Sequence, residues 1–305
     1  MIAARIIGLV FLFCVFSVHS SAEEFTNAIQ AFLQQRVEVE KRDVGIVVGI
    51  VDEHGSRVIS CGKMDNGTDD EVNGDTLFDI ASITKPFTGL LLQDMIERGE
   101  MKLDDPVAKY LPNSVRMPAR NGKEISLLHL ATHTSGLPHI APNLDPKRAD
   151  QSFADYTVEE LNAFLSGYQL TRDPGTKFEY SSLGAGLLGH VIALKAGTNY
   201  ESLVVDRICR PLKMDSTRIT LTPELKSRFA TGHNQFGEAV PSWDRQTQLG
   251  GSALRSTAND LLKFLMSGAQ LTFIKNDHGE VMAVSLHDGA WLPLPDGKGK
   301  KLKKE

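Results

Sequence analysis

Apolar and polar positions follow two different periods near the start of the chain. Two strand-like runs, at residues 44–51 and 57–61, flank His54-Gly55-Ser56 and predict a hairpin. From there to Met266 the pattern favours helices and irregular connections, with no repeating period. This order predicts an α/β or α+β architecture. An amphipathic helix is predicted before the hairpin, because apolar residues recur at helical spacing among Gln and Glu: Phe25, Ile29, Phe32, Leu33 and Val37.

The first 22 residues carry the pattern of a secretory signal. Arg5 precedes an apolar run of 13 residues at 6–18, and small residues follow up to Ala22. The run is shorter than the roughly 20 residues that span a bilayer. We therefore predict cleavage after Ala22, a secreted or periplasmic location, and no stable membrane span in the mature protein. A short membrane anchor is the alternative.

The composition is that of an ordinary globular protein. Of 305 residues, 41% are apolar and 23% are charged, and the formal net charge is -5. These values exclude a disordered or collagen-like chain and leave one large domain or two modest ones. The mild acidity argues against a nucleic-acid-binding protein, whose surface is usually basic.

Two cysteines, Cys61 and Cys209, remain once the signal segment is removed. Neither a Cys-x-x-Cys pair nor a His–Cys cluster is present, which argues against a structural zinc site. The two could pair in an oxidising compartment, but a sequence gives no distance between them. We predict two buried thiols.

Candidate chemistry first occurs where a helix is predicted to begin. Pro86 falls in the first turn of a helix that continues through Met95, so Ser82 lies at the helix N-terminus and Lys85 lies on the same face. A serine hydroxyl becomes a nucleophile when a base takes its proton. Partial burial and the positive helix end would lower the pKa of Lys85 toward that role. The same helix end would stabilise an oxyanion beside Ser82.

Ser-x-x-Lys alone is a weak signal, because Ser60-Cys61-Gly62-Lys63 repeats it at a strand end where no helix aligns the pair. The segments that follow Ser82 are more specific. In order and interval they resemble the class C β-lactamase family, which also contains DD-peptidases and β-lactamase-like esterases. The resemblance covers roughly residues 24–266. Its segments are residues 99–107, residues 109–112, Leu-Leu-His-Leu-Ala-Thr-His-Thr-Ser-Gly-Leu-Pro at 127–138, Phe-Glu-Tyr-Ser-Ser-Leu-Gly at 178–184 and Gly-Gly-Ser-Ala-Leu-Arg-Ser-Thr-Ala-Asn-Asp at 250–260.

The resemblance implies an α/β (α+β) fold of the β-lactamase/transpeptidase type. An antiparallel sheet flanked by helices would lie beside a mainly helical region, with Ser82 in the cleft between them. The resemblance also implies that Ser82 is the acylated nucleophile, Lys85 its activating partner and Tyr180 the group that takes and returns the proton. Ser182 stands where the family usually has Asn and would bind substrate with a shorter reach. No cofactor and no metal are implied.

This chain departs from the family at the family's third element, a strand that carries Lys-Thr-Gly or His-x-Gly. His287-Asp288-Gly289 fits it literally and makes His287 a candidate substrate-binding residue, but residues 290–293 do not match the family. Residues 271–274 and 281–286 instead predict a hairpin like that of the small β-domain often appended to these proteins. We favour an internal loss that shortens the sheet and removes one oxyanion donor. The predicted organisation is a signal peptide at 1–22, a hydrolase domain at 23–269 and a β-hairpin segment with a lysine-rich tail at 270–305.

Two other motifs have rival interpretations. Residues 184–189 form Gly-x-Gly-x-x-Gly, but a polar segment containing Pro174-Gly175 precedes them, so we predict a closely packed helix rather than a dinucleotide site. His129 and His133 are spaced like zinc ligands, but Leu130 replaces the catalytic Glu, and we predict a helix end. The chain has no Gly-x-Ser-x-Gly, which argues against an ordinary α/β-hydrolase.

The resemblance therefore predicts a serine hydrolase that acts through an acyl-serine on a small-molecule or peptidoglycan-like substrate. β-Lactam hydrolysis is the first choice. D-Ala-D-Ala peptide cleavage and ester hydrolysis share its first step and stay open. An inactive penicillin-binding-like protein, without the third motif, is the alternative from another class. Ser82→Ala separates the two classes, because it abolishes turnover only in the enzyme.

Overall fold

The computed structural model describes residues 22–52, 55–65, 67–144, 154–234, 236–242, 244 and 247–267, and the backbone alone of three later strands. Residues 1–21 of the predicted signal segment, the turn residue His54 and the candidate His287 lie outside the described residues. Within this part of the chain, no helix combines the length and the apolar composition needed to cross a bilayer.

The described chain contains eight α-helices and eleven short strands, so the predicted α/β (α+β) class is confirmed. The helices are α1 Ala22–Gln34, α2 Thr84–Glu97, α3 Leu127–Ala131, α4 Val158–Gly167, α5 Ser182–Ala196, α6 Tyr200–Val204, α7 Pro223–Ser227 and α8 Ala258–Met266. The strands are β1 Gly45–Asp52, β2 Gly55–Gly62, β3 Phe78–Asp79, β4 Ala119–Arg120, β5 Lys123–Glu124, β6 Gly232–His233, β7 Ala239–Val240, β8 Arg255–Ser256, β9 Thr272–Lys275, β10 Val281–Ser285 and β11 Trp291–Pro293.

The first sheet is the predicted hairpin. β1 and β2 pair antiparallel, from Gly45 opposite Gly62 to Asp52 opposite Gly55. Helix α1 packs on β2 and helix α8 packs on β1, so the hairpin is flanked by helices. The predicted first helix is also present, but Leu33 is buried whereas Phe25 and Phe32 are exposed.

The main core lies between the helices. Helix α2 buries Phe87, Leu91 and Met95, and the ring of Phe87 stacks on Phe264 of α8 with the centroids 4.4 Å apart. Helix α5 buries nine of its fifteen residues, as expected of a helix that is apolar on most sides. Helices α2 and α5 also pack against each other.

The glycines of α5 let another segment approach its backbone closely. A Cβ on Gly186 would lie 2.4 Å from Cβ of Gln248, and one on Gly189 would lie 2.8 Å from Cα of Gly250. The segment that packs there is the 3-10 turn Leu249–Gly251. The prediction that these glycines serve close helix packing is confirmed.

Gly189→Ala is expected to lower the free energy of unfolding by about 2 kcal/mol, because the added methyl meets backbone that has to shift. Gly89→Ala is the matched control. Gly89 lies inside α2 with open space around its Cα, and alanine there should raise the free energy of unfolding by about 0.5–1 kcal/mol. Urea-induced unfolding measures both changes. Equal effects of the two substitutions would contradict the packing interpretation.

The C-terminal strands form a separate sheet in the order β11-β10-β9. Strands β9 and β10 pair antiparallel and correspond to the predicted hairpin. Strand β11, which the sequence pattern did not predict, adds antiparallel to β10.

The remaining sequence predictions concern the cysteines and the paired histidines. Cys61 and Cys209 are free thiols. Cys209 is buried as predicted, but Cys61 is only half-buried, because it lies in β2 near the surface. His129 caps α3, since its Nδ1 accepts a hydrogen bond from the Ser126 N–H at 3.1 Å. The helix then ends at Ala131, as predicted.

Candidate active site

The chain reaches the predicted nucleophile through a short strand and a tight turn. Strand β3 pairs with β8, and the Ile80 N–H donates to the Leu254 carbonyl at 3.0 Å. Ala81 then adopts a left-handed backbone with φ +44°, which is unusual for a residue with a side chain. A 3-10 turn, Ala81–Ile83, leads directly into α2. Ser82 therefore lies at the start of that helix, as predicted, with its side chain exposed.

Lys85 contacts Ser82 from the first turn of α2. Its Nζ lies 3.0 Å from Ser82 Oγ and donates to the carbonyl oxygen of Gly251 at 2.7 Å. It also lies 3.5 Å from Ser182 Oγ, at the first residue of α5. The ammonium group thus joins α2, α5 and the Leu249–Gly251 turn at one point.

Tyr180 approaches Ser82 from the other side. Its phenol oxygen lies 2.7 Å from Ser82 Oγ, and Lys85 Nζ lies 4.8 Å from the centre of its ring. Burial alone would raise the pKa of the Tyr180 phenol. Hydrogen bonds from Lys85 and Ser82, together with the Lys85 charge, outweigh burial and bring that pKa below its ordinary value of 10.0. A phenol with a lowered pKa can act as a base.

Of the other predicted positions, Ser182 joins the site and the second Ser-x-x-Lys does not. Ser182 faces the site at the longer distance expected of its short side chain. The second Ser-x-x-Lys does not assemble, because Ser60 lies in β2 and Lys63 Nζ pairs with Asp69. Among the described residues, no group of three or more His, Cys, Asp and Glu is arranged to hold a metal ion.

A cleft of about 630 Å³ opens beside Ser82. Ser82, Tyr180 and Ser182 form its polar end, and Asp79 and Ser242 lie on its wall. Apolar surface makes up most of the lining, chiefly Ile140, Phe229, Val240 and Pro241. A site of this size and composition fits a small molecule with an apolar portion.

Arg255 belongs to the family-like segment at residues 250–260, but the sequence does not indicate its role. Its buried guanidinium donates from Nε to Asp79 at 3.0 Å and from one terminal nitrogen to Ser242 Oγ at 2.7 Å and Asp244 at 2.5 Å. The other terminal nitrogen donates to the Ile219 carbonyl. Arg255 therefore fixes β3 three residues before the nucleophile.

Arg255→Lys is expected to lower the free energy of unfolding by about 2 kcal/mol, because one ammonium cannot replace the planar set of donors. Arg98→Lys is the control, since Arg98 forms an exposed pair with Asp94 within one helical turn. That change should stay within about 0.5 kcal/mol. Urea-induced unfolding of both variants measures the difference. A similar small effect at both positions would show that Arg255 has no structural role.

At the start of a helix, a serine hydroxyl lies between a lysine and a tyrosine. The fold that carries this site is of the β-lactamase/transpeptidase class. The β-lactamase family model matches residues 25–302, and the chain belongs to that family.

Two proteins that are similar to this chain are named for different enzyme activities. The D-alanyl-D-alanine-carboxypeptidase/endopeptidase AmpH of Escherichia coli K12 is 31% identical over 221 residues, 72% of this chain and 56% of that protein. A β-lactamase of the same strain is 28% identical over 252 residues, 82% of this chain and 63% of that protein. The chain thus spans between half and two thirds of the length of these curated relatives.

Solved structures agree with this assignment. The β-lactamase/D-alanine carboxypeptidase from Yersinia pestis, complexed with citrate, has a TM-score of 0.72 and 29% identity, and the match covers 83% of this chain and 75% of that one. A class C β-lactamase has a TM-score of 0.69 at 22% identity, and the match covers 83% of this chain and 67% of that one. The second likeness shows the fold alone.

Proposed function

We propose that this protein is a serine hydrolase that works through an acyl intermediate on Ser82. The observation that carries the proposal is the position of Ser82 Oγ, 2.7 Å from the phenol of Tyr180 and 3.0 Å from the ammonium of Lys85. A hydroxyl held between a base and a cation is an activated nucleophile. The base in this proposal is Tyr180, whose phenol pKa is lowered by Lys85 and Ser82 against the effect of burial.

Acylation has two steps, attack on the substrate carbonyl and departure of the leaving group. Ser82 Oγ attacks the carbonyl carbon of the substrate while the Tyr180 phenolate takes the hydroxyl proton. The resulting oxyanion forms beside the N-terminus of α2, where the positive helix end stabilises it. When the bond to the leaving nitrogen or oxygen breaks, Tyr180 returns the proton to that atom. The acyl group is then an ester of Ser82.

Deacylation reverses the same proton path. Tyr180 takes a proton from a water molecule, whose oxygen attacks the ester carbonyl carbon. Ser82 Oγ leaves and recovers the proton from Tyr180. Throughout both halves, Lys85 remains anchored on the Gly251 carbonyl and holds its charge against the two oxygens that exchange the proton.

The proposed substrate is a β-lactam amide. Relatives named β-lactamase support this choice, and the apolar wall of the cleft suits the side chain of such a molecule. Peptides ending in D-Ala-D-Ala are the second candidate, because another relative is named D-alanyl-D-alanine-carboxypeptidase/endopeptidase. Both substrates would form the same kind of ester on Ser82.

The test follows the intact mass of the purified protein after mixing with benzylpenicillin. We expect an increase by the mass of the drug, mapped to Ser82, that decays as hydrolysed drug accumulates. A long-lived adduct would favour the peptidase candidate, and release of D-Ala from a peptide ending in D-Ala-D-Ala would then be measured. If the penicillin, the peptide and p-nitrophenyl acetate all give no adduct and are not hydrolysed, the proposal is overturned and an inactive binding protein is supported.

We also propose that the protein acts in the periplasm or outside the cell, after removal of residues 1–22. The N-terminal pattern of Arg5, an apolar run and small residues supports this location. Expression of the full chain in a bacterium, followed by fractionation and mass measurement, tests it. A protein in the periplasm or medium that starts at Glu23 is the expected result, and an uncleaved protein in the cytoplasm is the contrary one.

A further inference from the structure

His133 contacts the backbone on both sides of Tyr180. Its ring Nδ1 accepts a hydrogen bond from the Ser181 N–H at 3.1 Å, and its carbonyl oxygen accepts one from the Glu179 N–H at 2.8 Å. Its ring also packs against the ring of Tyr180, with the centroids 4.7 Å apart. One residue thus binds the two neighbours of Tyr180 and contacts its side chain.

The segment around Tyr180 has little other regular support. No helix or strand is present between the end of α4 at Gly167 and the start of α5 at Ser182, in a stretch that the structure describes throughout. His133, by contrast, follows α3 directly, and the next residue, Thr134, donates its N–H to the His129 carbonyl at 2.9 Å. Other hydrogen bonds also hold the segment, such as the one from Ser181 Oγ to the Pro138 carbonyl at 2.6 Å. His133, attached to a helix, is the residue that contacts both neighbours of Tyr180 and its ring.

The side chain and the backbone at position 133 are both specialised. His133 has φ +58°, in the left-handed region that Gly and Asn tolerate better than most residues. Its Nδ1 can accept the Ser181 N–H only when that nitrogen carries no proton. Burial, followed by the charge of Lys85, lowers the pKa of His133 to about 4, so the ring is neutral near pH 7.

We propose that His133 is the positioning residue that holds the Tyr180 phenol between Ser82 and Lys85. This proposal rests on the proposed function, because it gives Tyr180 a task as the base. His133 acts through the Ser181 N–H and the Glu179 N–H and does not exchange a proton itself. The required properties are an acceptor three bonds from Cα and tolerance of a left-handed backbone.

Two substitutions keep the backbone conformation and differ in the acceptor. Asn carries its carbonyl oxygen the same number of bonds from Cα as His Nδ1, and both Asn and Gly tolerate φ +58°. His133→Asn thus keeps the acceptor, whereas His133→Gly removes it. We expect the acylation rate constant with benzylpenicillin or p-nitrophenyl acetate to fall about 10- to 100-fold in His133→Gly and to stay within about threefold of wild type in His133→Asn.

A second measurement does not depend on turnover. The pKa of the Tyr180 phenol is measured by ultraviolet absorbance, as the difference between each protein and the same protein carrying Tyr180→Phe. This pKa reports the contact of the phenol with Lys85. The titratable groups that face the phenol are Lys85, His133 and His139. In His133→Gly the phenol moves away from Lys85 and its pKa should rise, whereas in His133→Asn it should remain at the wild-type value.

Two outcomes would overturn the proposal: wild-type behaviour of His133→Gly, or equal losses in His133→Asn and His133→Gly. If His133→Gly fails to fold, His133→Gln replaces it, since its amide oxygen lies one bond too far out. The backbone strain of Gln at φ +58° is measured separately as its loss in free energy of unfolding, and the same changes in acylation and phenol pKa are expected in the folded protein. A wild-type protein that forms no acyl adduct and hydrolyses none of these substrates would refute the proposed function alone. The phenol titration would still decide the role of His133.

Discussion

Ser82→Ala is expected to reduce hydrolysis of any substrate by at least about 1,000-fold and to abolish the mass adduct with benzylpenicillin. The reason is that the other hydroxyl at the start of α2, that of Thr84, is buried and accepts a hydrogen bond from the Leu254 N–H, so it cannot take the acyl group. The free energy of unfolding should change by no more than about 0.5 kcal/mol, because the Ser82 side chain is exposed. Steady-state kinetics, intact mass and urea-induced unfolding measure the three quantities.

Ser60→Ala is the matched control for this substitution. Ser60 begins the second Ser-x-x-Lys of the chain, but it lies in β2 and its lysine pairs with Asp69. Its turnover should equal that of the wild type. Hydrolysis that survives in Ser82→Ala would exclude the proposed mechanism, and a large loss in Ser60→Ala would place the chemistry elsewhere.

Lys85→Met is expected to lower kcat/KM by about 100- to 1,000-fold near pH 7. The substitution removes the hydrogen bond and the charge that lower the pKa of the Tyr180 phenol, so that pKa rises toward or above 10.0. A smaller fraction of Tyr180 is then ionised at neutral pH. The remaining activity should increase with pH over a range displaced to the alkaline side of the wild-type profile.

The pH profile of kcat/KM for both proteins measures this displacement. Lys63→Met is the control, because Lys63 belongs to the Ser-x-x-Lys that does not assemble, and its profile should match that of the wild type. A profile for Lys85→Met that keeps the wild-type pH dependence at lower amplitude would show that Lys85 does not control the phenol.

Much of the candidate site was predictable because its residues lie in local patterns. Pro86 and the apolar spacing after it predicted the helix that starts beside Ser82, and Lys85 followed from that helix. Tyr180 was found from a short segment that resembles a family motif. The hairpin of β1 and β2 followed from two strand-like runs around a turn.

The remaining contacts were not predictable, because a sequence gives no distances between segments. The acceptor for Lys85 is a backbone carbonyl 166 residues away, and no residue type marks a carbonyl. His133 lies in a motif of the sequence, but its hydrogen bond joins it to Ser181, 48 positions further along the chain. Strand β11 has three residues and ends in proline, which leaves almost no strand pattern.

The glycines of α5 have a consequence for how this protein can change over generations. Gly189 and Gly250 are in direct contact without side chains between them, so the Leu249–Gly251 turn lies close to α5. This close approach determines the distance from Lys85 to the Gly251 carbonyl. One interior methyl group would alter that distance without contacting any substrate. Selection for turnover would therefore preserve these interior glycines as strictly as it preserves the reactive Ser82.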